Sequence, residues 1–144
     1  MARVGVGERT SAIPTAVRGP SVYATASSGR LYLREVGVFN TTAVAVCVAL
    51  EVATTAGTVG AGLTEVNISD PSHAILGAAF QTHTGDATVN QVRQASLGNA
   101  IGAGVIWTWG PYEFAIDEGT ANGAVITCPT GTAQHLDFYF EWDE

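Results

Sequence analysis

The chain offers few side chains whose type and spacing could support catalysis. Its three histidines share no ligand spacing such as His-x-x-x-His; they are His73, His83 and His135. His83 and Asp86 together could hold a metal ion, but an ordinary loop histidine is the more common case. Asp117 and Glu118 are adjacent in a Gly-rich loop, where acidic side chains usually face water. These residues therefore predict no metal site and no acid–base pair.

Nucleophilic and cofactor motifs are also missing from the sequence. There is no Gly-x-Ser-x-Gly motif, and Cys47 is flanked by valines with no basic neighbour in sequence. We expect Cys47 and Cys128 to be reduced packing residues rather than a disulfide. Residues 102–107 begin like a dinucleotide-binding loop, but Trp107 stands where the third glycine is needed. The sequence therefore predicts no catalytic residue, no cofactor-binding residue and no enzyme activity.

Aromatic residues suggest a different kind of site. Trp107 and Trp109 fall on one side of a predicted strand, and Tyr112 follows closely. Such rings could stack on a sugar or a nucleobase, although a place in the core or in a subunit interface is more common. Both interpretations remain open from the sequence.

Composition and charge exclude several partners. The 144 residues include six arginines and no lysine, against 13 acidic residues, which gives a net charge of −7. The arginines are scattered, whereas a nucleic-acid-binding protein clusters its positive charge. The apolar runs 43–50 and 100–107 are too short to span a membrane, and the N-terminal segment has no signal-peptide h-region. We expect synthesis in the cytoplasm, and neither nucleic acid nor a membrane as partner.

The segment Thr42–Ala53 has the clearest strand pattern, a strict period of two. Large apolar side chains on one face belong in a core; they are Val44, Val46, Val48, Leu50 and Val52. The small, uncharged side chains on the other face are Ala43, Ala45, Cys47 and Ala49. We expect that second face to form a subunit interface, most simply in a homotrimer, because closed symmetry hides such a surface.

The rest of the chain predicts an all-β protein. Short β patterns alternate with turn signals every eight to twelve residues or so, which favours an antiparallel, jelly-roll-like β-sandwich. In the last strand, Leu136, Phe138, Phe140 and Trp142 alternate with polar side chains. The pattern of Leu31–Phe39 changes phase around Arg34–Gly37, which predicts a β-bulge. Residues 74–84 and 88–96 fit a helix or a strand.

The N-terminal residues 1–20 lack this pattern and hold three of the six arginines. We expect an extended arm on residues 1–20 and a β-sandwich domain on residues 21–144. The arm could be a frayed tail, or it could order on a neighbouring subunit. Its candidate contact residues are Arg3, Arg9, Ile13, Val17 and Arg18.

Four segments together resemble a family of small all-β capsid decoration, or cement, proteins of tailed bacteriophages. They are residues 35–42, 102–107, 118–123 and 141–144. The resemblance covers roughly residues 30–144 and rests on turn and strand patterns. It implies a trimer on the outer surface of the phage head, bound to the major capsid protein and found in the virion.

Two alternatives come from other classes of protein. One is a trimeric receptor- or glycan-binding head domain of a phage tail fibre, which would use Trp107, Trp109 and Tyr112. The other is a small enzyme of cupin-like fold, which needs a cluster of His and Glu ligands that the sequence does not supply.

Overall fold

The structure, a computed structural model, describes residues 1–13, 19–25, 29–84, 89–130 and 134–144. All its regular elements are β-strands, numbered here in chain order. They are β1 Arg3–Arg9, β2 Ser21–Tyr23, β3 Leu31–Asn40, β4 Val46–Ala53, β5 Thr58–Val59, β6 Val66–Asn67, β7 Ala78–Phe80, β8 His83–Thr84, β9 Val89–Leu97, β10 Gly104–Thr108, β11 Ala115–Ile116, β12 Gly123–Thr127 and β13 Leu136–Asp143.

Two antiparallel sheets pack face to face. The first has the order β10-β3-β13-β1-β6, with β11 paired to the far end of β3. The second has the order β7-β2-β12-β4-β9, and β5 pairs with β8 in a separate two-stranded sheet. The predicted antiparallel β-sandwich is therefore confirmed, and its jelly-roll connectivity stays a prediction.

The core lies between the two sheets. From β13, Leu136, Phe138, Phe140 and Trp142 all face it, as their alternation predicts. From β4, Val46, Val48 and Leu50 meet them in the same apolar cluster. Because side chains alternate along a strand, a shift in strand pairing by one residue would turn these core side chains to solvent.

The strand β4 begins four residues later than the sequence predicts, at Val46 rather than Thr42. Val44 was expected in the core but is 47% exposed in the preceding loop. The cause is local, because the side chain of Asn40 binds the backbone carbonyl of Val44 and holds residues 41–45 out of the strand.

The predicted bulge in β3 is present. Pairing between β3 and β13 passes from Glu35–Glu141 directly to Leu33–Trp142, which leaves Arg34 as the extra residue. The bulge lets Leu33 and Val36 both face the core. The two undecided segments also form strands, namely β9 and the pair β7 and β8.

The N-terminal segment differs from the expected arm. Residues Arg3–Arg9 form β1, which pairs with β13 on one side and with β6 on the other. Val4 and Val6 are buried in the core, so this part of residues 1–20 belongs to the sandwich. Gly5 and Gly7 alternate with them on the outer face, where Ile68 and Tyr139 lie close to the backbone.

The outer face of the second sheet is partly covered by the chain itself. Tyr23, Ala53 and Val125 form a small second apolar cluster there, with Ala56 and Phe80 packed against it. This local layer covers the outer face at the end of β4, at Ala53.

Candidate docking surface

The four residues predicted to form a subunit interface do not share one exposed face. Ala49 is fully buried, and Cys47 is nearly so. Ala43 and Ala45 are exposed, but they lie in the loop before β4. These described residues therefore form no continuous exposed alanine face that would require a trimer, because half of the predicted face is covered within the chain.

The exposed alanines belong instead to an apolar end of the sandwich. Residues 41–45, between β3 and β4, and residues 98–103, between β9 and β10, lie side by side there. We call these two loops the loop tip. Val44 is 47% exposed and Ile101 is 74% exposed, and both side chains point into solvent from the loop tip.

A buried asparagine holds the two loops together. The Asn40 side-chain amide donates to the carbonyl oxygens of Val44, at 2.6 Å, and Gly98, at 3.0 Å. Its side-chain oxygen accepts from the backbone N–H of Thr42, at 3.0 Å, and from the Thr42 hydroxyl, at 3.1 Å. One buried side chain thus links both loops of the tip, and its polar atoms are all paired.

The backbone adds further restraints. The Asn40 N–H donates to the Ala103 carbonyl, and the Gly102 N–H donates to the Asn40 carbonyl, each at 2.8 Å. Gly102 has a φ of 85°, a conformation that side-chain-bearing residues rarely adopt. The Thr41 hydroxyl donates to the His135 carbonyl at 2.6 Å. The loop tip is therefore preorganised, so docking would lose little conformational entropy.

The loop tip also lies in uncharged stretches of the chain. No Asp, Glu, Lys, Arg or His occurs in residues 36–50 or in residues 94–112. In a protein of net charge −7, this end can be buried without desolvating a charge. A rigid, uncharged and partly apolar end is typical of a surface that docks on another protein.

The predicted arm residues have partners inside the domain. Arg3 Nε lies 2.5 Å from Asp143 Oδ1, and Arg9 Nε lies 2.7 Å from Asp137 Oδ1. The hydrogen bond to Asp143 raises the pKa of Arg3, so this guanidinium stays charged. Ile13 is fully buried and pairs by an isolated bridge with Gln134.

Two other predicted arm contacts, Val17 and Arg18, lie outside the described residues. The three candidates that the structure does describe, Arg3, Arg9 and Ile13, are engaged within the sandwich. The structure therefore gives them a role in the stability of the domain.

The aromatic candidates do not form one stacking platform. Trp107 and Trp109 are partly buried against the core, and the Trp109 ring meets Phe114 edge-on with centroids 5.0 Å apart. Tyr112 is exposed and meets Tyr32 edge-on at 4.9 Å. The two tryptophans therefore act as packing residues, apart from the exposed tyrosine.

A Ser–His pair that no sequence pattern indicated links the small two-stranded sheet β5–β8 to the second sheet. The hydroxyl of Ser21 hydrogen-bonds to Nε2 of His83, and His83 Nδ1 donates to the Ala56 carbonyl at 3.1 Å. Burial lowers the pKa of His83, which keeps the ring neutral. Both side chains are fully buried, so no substrate could reach the hydroxyl. The residues are 62 positions apart, and no local sequence signal connects them.

The other two histidines have structural partners. His73 Nε2 lies 3.2 Å from Glu144 Oε1, and His135 Nδ1 lies 2.8 Å from the Thr10 carbonyl oxygen. Cys47 and Cys128 are free thiols, and burial raises the pKa of Cys128 to about 11. In the described parts of the chain, no three His, Cys, Asp or Glu side chains are grouped closely enough to hold a metal ion. Asp86, the suggested partner of His83, lies outside those parts.

One apolar hollow lies beside the small sheet β5–β8. Its volume is about 280 Å³, and its walls include Tyr23, Ala56, Val59 and Phe80. Ligand pockets usually enclose about 300–1,000 Å³ and carry several convergent polar groups. The size and the lining of this hollow do not indicate a ligand site.

Across the described residues, no helix is long and apolar enough to cross a membrane.

Comparison with known proteins gives little further information. No protein-family model and no curated protein matches the chain. The cryo-EM structure of the giant freshwater prawn Macrobrachium rosenbergii extra small virus (XSV) VLP aligns with 99% of this chain and 80% of that chain, at 11% sequence identity and a TM-score of 0.21. A TM-score this low carries no argument about fold or function.

Proposed function

We propose that this chain is a structural virion protein that decorates the outer surface of a phage head and stabilises it. The observation that carries the proposal is the loop tip, a rigid, uncharged end that exposes Val44 and Ile101. The resemblance to phage decoration proteins suggests the major capsid protein as the partner. The proposal assigns no chemical reaction to the chain.

Docking through the loop tip would cost little conformational free energy. Burial of an aliphatic side chain of this size is worth about 1.5–3 kcal/mol when it is complete. Val44 and Ile101 already have part of their surface covered, so each would contribute less than that. Because Asn40 fixes both loops beforehand, little of this gain is lost to ordering.

The charge distribution favours an outer position on the head. A net charge of −7 disfavours contact with packaged nucleic acid. The acidic groups on the outer face of β13 lie away from the core, and several are already paired with arginines of the chain. The loop tip is the end at which an acidic protein can meet another surface without burying charge.

The tail-fibre alternative finds no specific support in the geometry. It needs Trp107, Trp109 and Tyr112 to present their rings together, and the two tryptophans pack against the core. The homotrimer rests on the resemblance alone and stays a prediction, because the alanine face that also suggested it is half buried.

The test is binding to undecorated phage heads by the double variant Val44→Ser with Ile101→Ser. We expect the wild type to cosediment with the heads and the double variant to bind at least about tenfold more weakly, since about 1.4 kcal/mol corresponds to tenfold in affinity. The matched control is Ile68→Ser, because Ile68 is also an exposed aliphatic residue, 53% exposed, but lies outside the loop tip.

Circular dichroism of each variant shows whether the fold is retained. Equal binding by the double variant and the wild type would reject the loop tip as the contact. Failure of the folded wild type to bind heads at all would reject decoration.

A further inference from the structure

The first sheet ends at β10, and this edge differs from the other sheet edges of the molecule. An edge strand presents unpaired N–H and C=O groups, so it can pair with a strand of another chain. Natural proteins block such pairing with very short strands, charged residues, prolines, bulges or a covering segment. The end strands of the two main sheets are β10, β6, β7 and β9, and the two-residue strand β11 also pairs with β3 in the first sheet.

Three of these edges are blocked. The strand β6 has only two residues. Along β7, the Leu63 N–H donates to the Ala79 carbonyl and the Gln81 N–H to the Ala61 carbonyl, each at 2.9 Å, so residues 61–63 cover that edge. In β9, the register shifts so that Val92 is an extra, bulged residue, and the charged Arg93 follows it.

Among the residues that the structure describes, β10 carries none of these features. Its five residues, Gly-Val-Ile-Trp-Thr, contain no charge and no proline, and their pairing with β3 is regular. Its middle residue, Ile106, is an exposed aliphatic side chain, 52% accessible to solvent. This is the composition that natural monomers avoid at an open edge.

The direction of its backbone groups follows from the pairing with β3. The Asn40 N–H donates to the Ala103 carbonyl at 2.8 Å, and the Trp109 N–H donates to the Arg34 carbonyl at 3.0 Å. Because antiparallel strands alternate between bonded and non-bonded pairs, the odd-numbered residues of β10 bond to β3. The N–H and C=O groups of Gly104, Ile106 and Thr108 therefore point away from β3, along the open edge.

We propose that β10 pairs antiparallel with β10 of a second copy of this chain about a two-fold axis through Ile106. In this register Ile106 lies opposite Ile106 of the partner subunit, and Gly104 lies opposite Thr108 of the partner subunit. The outward N–H and C=O groups of these three positions then meet their equivalents in pairs. The contact is self-complementary, as a closed two-fold interface requires.

The charge distribution of the chain favours a second copy of it as the pairing partner of β10. Two chains of net charge −7 repel each other over most of their surfaces. Residues 94–112 contain no ionisable Asp, Glu, Lys, Arg or His, so the two copies meet with least repulsion along this edge. Pairing would also place the two Ile106 side chains together on the outer face and remove them from water.

The test needs no phage heads, so its result is independent of the proposed function. Size-exclusion chromatography with light scattering measures the mass of the wild type. Protein concentrations from about 1 to 100 μM detect a dimer whose Kd lies in the micromolar range. We expect a species of twice the 14.9 kDa chain mass. Ile106→Lys should give the single-chain mass, because it places two like charges at the two-fold axis. Val66→Lys is the control, since Val66 is an equally exposed aliphatic residue, 59% accessible, on the short edge strand β6.

A cysteine pair tests the register. The native thiols Cys47 and Cys128 are buried, so Ile106→Cys adds the only exposed thiol of the described residues. Oxidised glutathione should convert Ile106→Cys to a disulfide-linked dimer with release of reduced glutathione, and should leave Val66→Cys uncrosslinked.

Three results would overturn the proposal. They are a monomeric or trimeric wild type, a dimer that persists in folded Ile106→Lys, and absence of the crosslink in Ile106→Cys. Circular dichroism of each variant separates loss of the dimer from loss of the fold, and if Ile106→Lys does not fold, the crosslink decides.

Discussion

The ring of Tyr139 lies directly over Gly37 on the outer face of the first sheet. A Cβ atom at position 37 would collide with the ring, so glycine is required by contact rather than by backbone conformation. The Tyr139 hydroxyl donates to the Glu35 carboxylate, and burial raises the pKa of the tyrosine above its usual range. Phe39 lies over Gly104 in the same manner, and its ring stacks beside Tyr139 with centroids 6.3 Å apart. Aromatic rings thus cover Gly37 and Gly104 on the outer face of this sheet.

Replacement of Gly37 by alanine should destabilise the protein. The added methyl group must displace the Tyr139 ring, and overpacking of this kind typically costs about 1–3 kcal/mol. The control is Gly98→Ala, because no atom lies within 4 Å of a Cβ built at Gly98. Urea unfolding measures both changes. A loss of stability in Gly98→Ala as large as that in Gly37→Ala would show that the ring contact is not the cause.

Deletion of residues 1–9 should prevent folding. The deletion removes β1, which lies between β13 and β6, together with the buried side chains of Val4 and Val6. It would leave β13 paired on one side only, with β3, and expose the core. Circular dichroism and the dispersion of the amide NMR spectrum measure the outcome. A cooperative, native-like fold in the truncated chain would mean that β1 is a dispensable arm after all.

The N-terminal strand shows where sequence patterns are insufficient. Val4 and Val6 alternate with Gly5 and Gly7, so the period of two was present in the sequence. The two glycines made the strand hard to recognise, because glycine in a strand interior usually weakens the strand. Their reason is not local, because Gly5 makes room for Ile68 and Gly7 for Tyr139. Neither neighbour can be identified from the N-terminal residues alone.

Where the pattern was local, the structure predicted from the sequence is correct. The alternation in β13 placed Phe138 and Phe140 in the core. The phase change in β3 predicted a bulge around Arg34–Gly37, and the extra residue is Arg34. The small residues of β4 correctly indicated a covered face. Part of that cover is the chain's own, because Tyr23, Val125 and Phe80 cluster with Ala53 of β4, and no local pattern encodes contacts between residues so far apart in the sequence.

Replacement of Asn40 by alanine should loosen the loop tip. It removes the two hydrogen bonds donated to the Val44 and Gly98 carbonyls and leaves buried groups unpaired, at about 1–3 kcal/mol. Hydrogen exchange should accelerate in residues 41–45 and 98–103 and stay unchanged in β13. Unaltered exchange in both loops would show that Asn40 does not hold them. Binding to heads should weaken together with the order of the loops, since the proposed contact depends on their rigidity.

The stability of the protein should fall below about pH 6.5, the ordinary pKa of histidine. The buried ring of His83 is neutral in the folded protein, with its pKa lowered by burial. The unfolded chain therefore takes up a proton at a higher pH than the folded chain does. The stabilisation is complete above the unfolded pKa and is lost as the pH falls toward the lower, folded pKa, by up to about 1.4 kcal/mol per pH unit.

Urea unfolding of the wild type and of His83→Asn at several pH values between about 7.5 and 5 measures this dependence. The wild type should lose stability across that range more steeply than the variant. Parallel curves for the two proteins would assign the effect to other groups.

The most direct test of the central claim is cryo-EM of undecorated phage heads incubated with the purified protein. The account predicts added density on the outer surface of the shell, fitted by the β-sandwich with Val44 and Ile101 facing the capsid. Heads that carry no added density at saturating protein, or sandwich density that meets the shell through a face other than the loop tip, would contradict it.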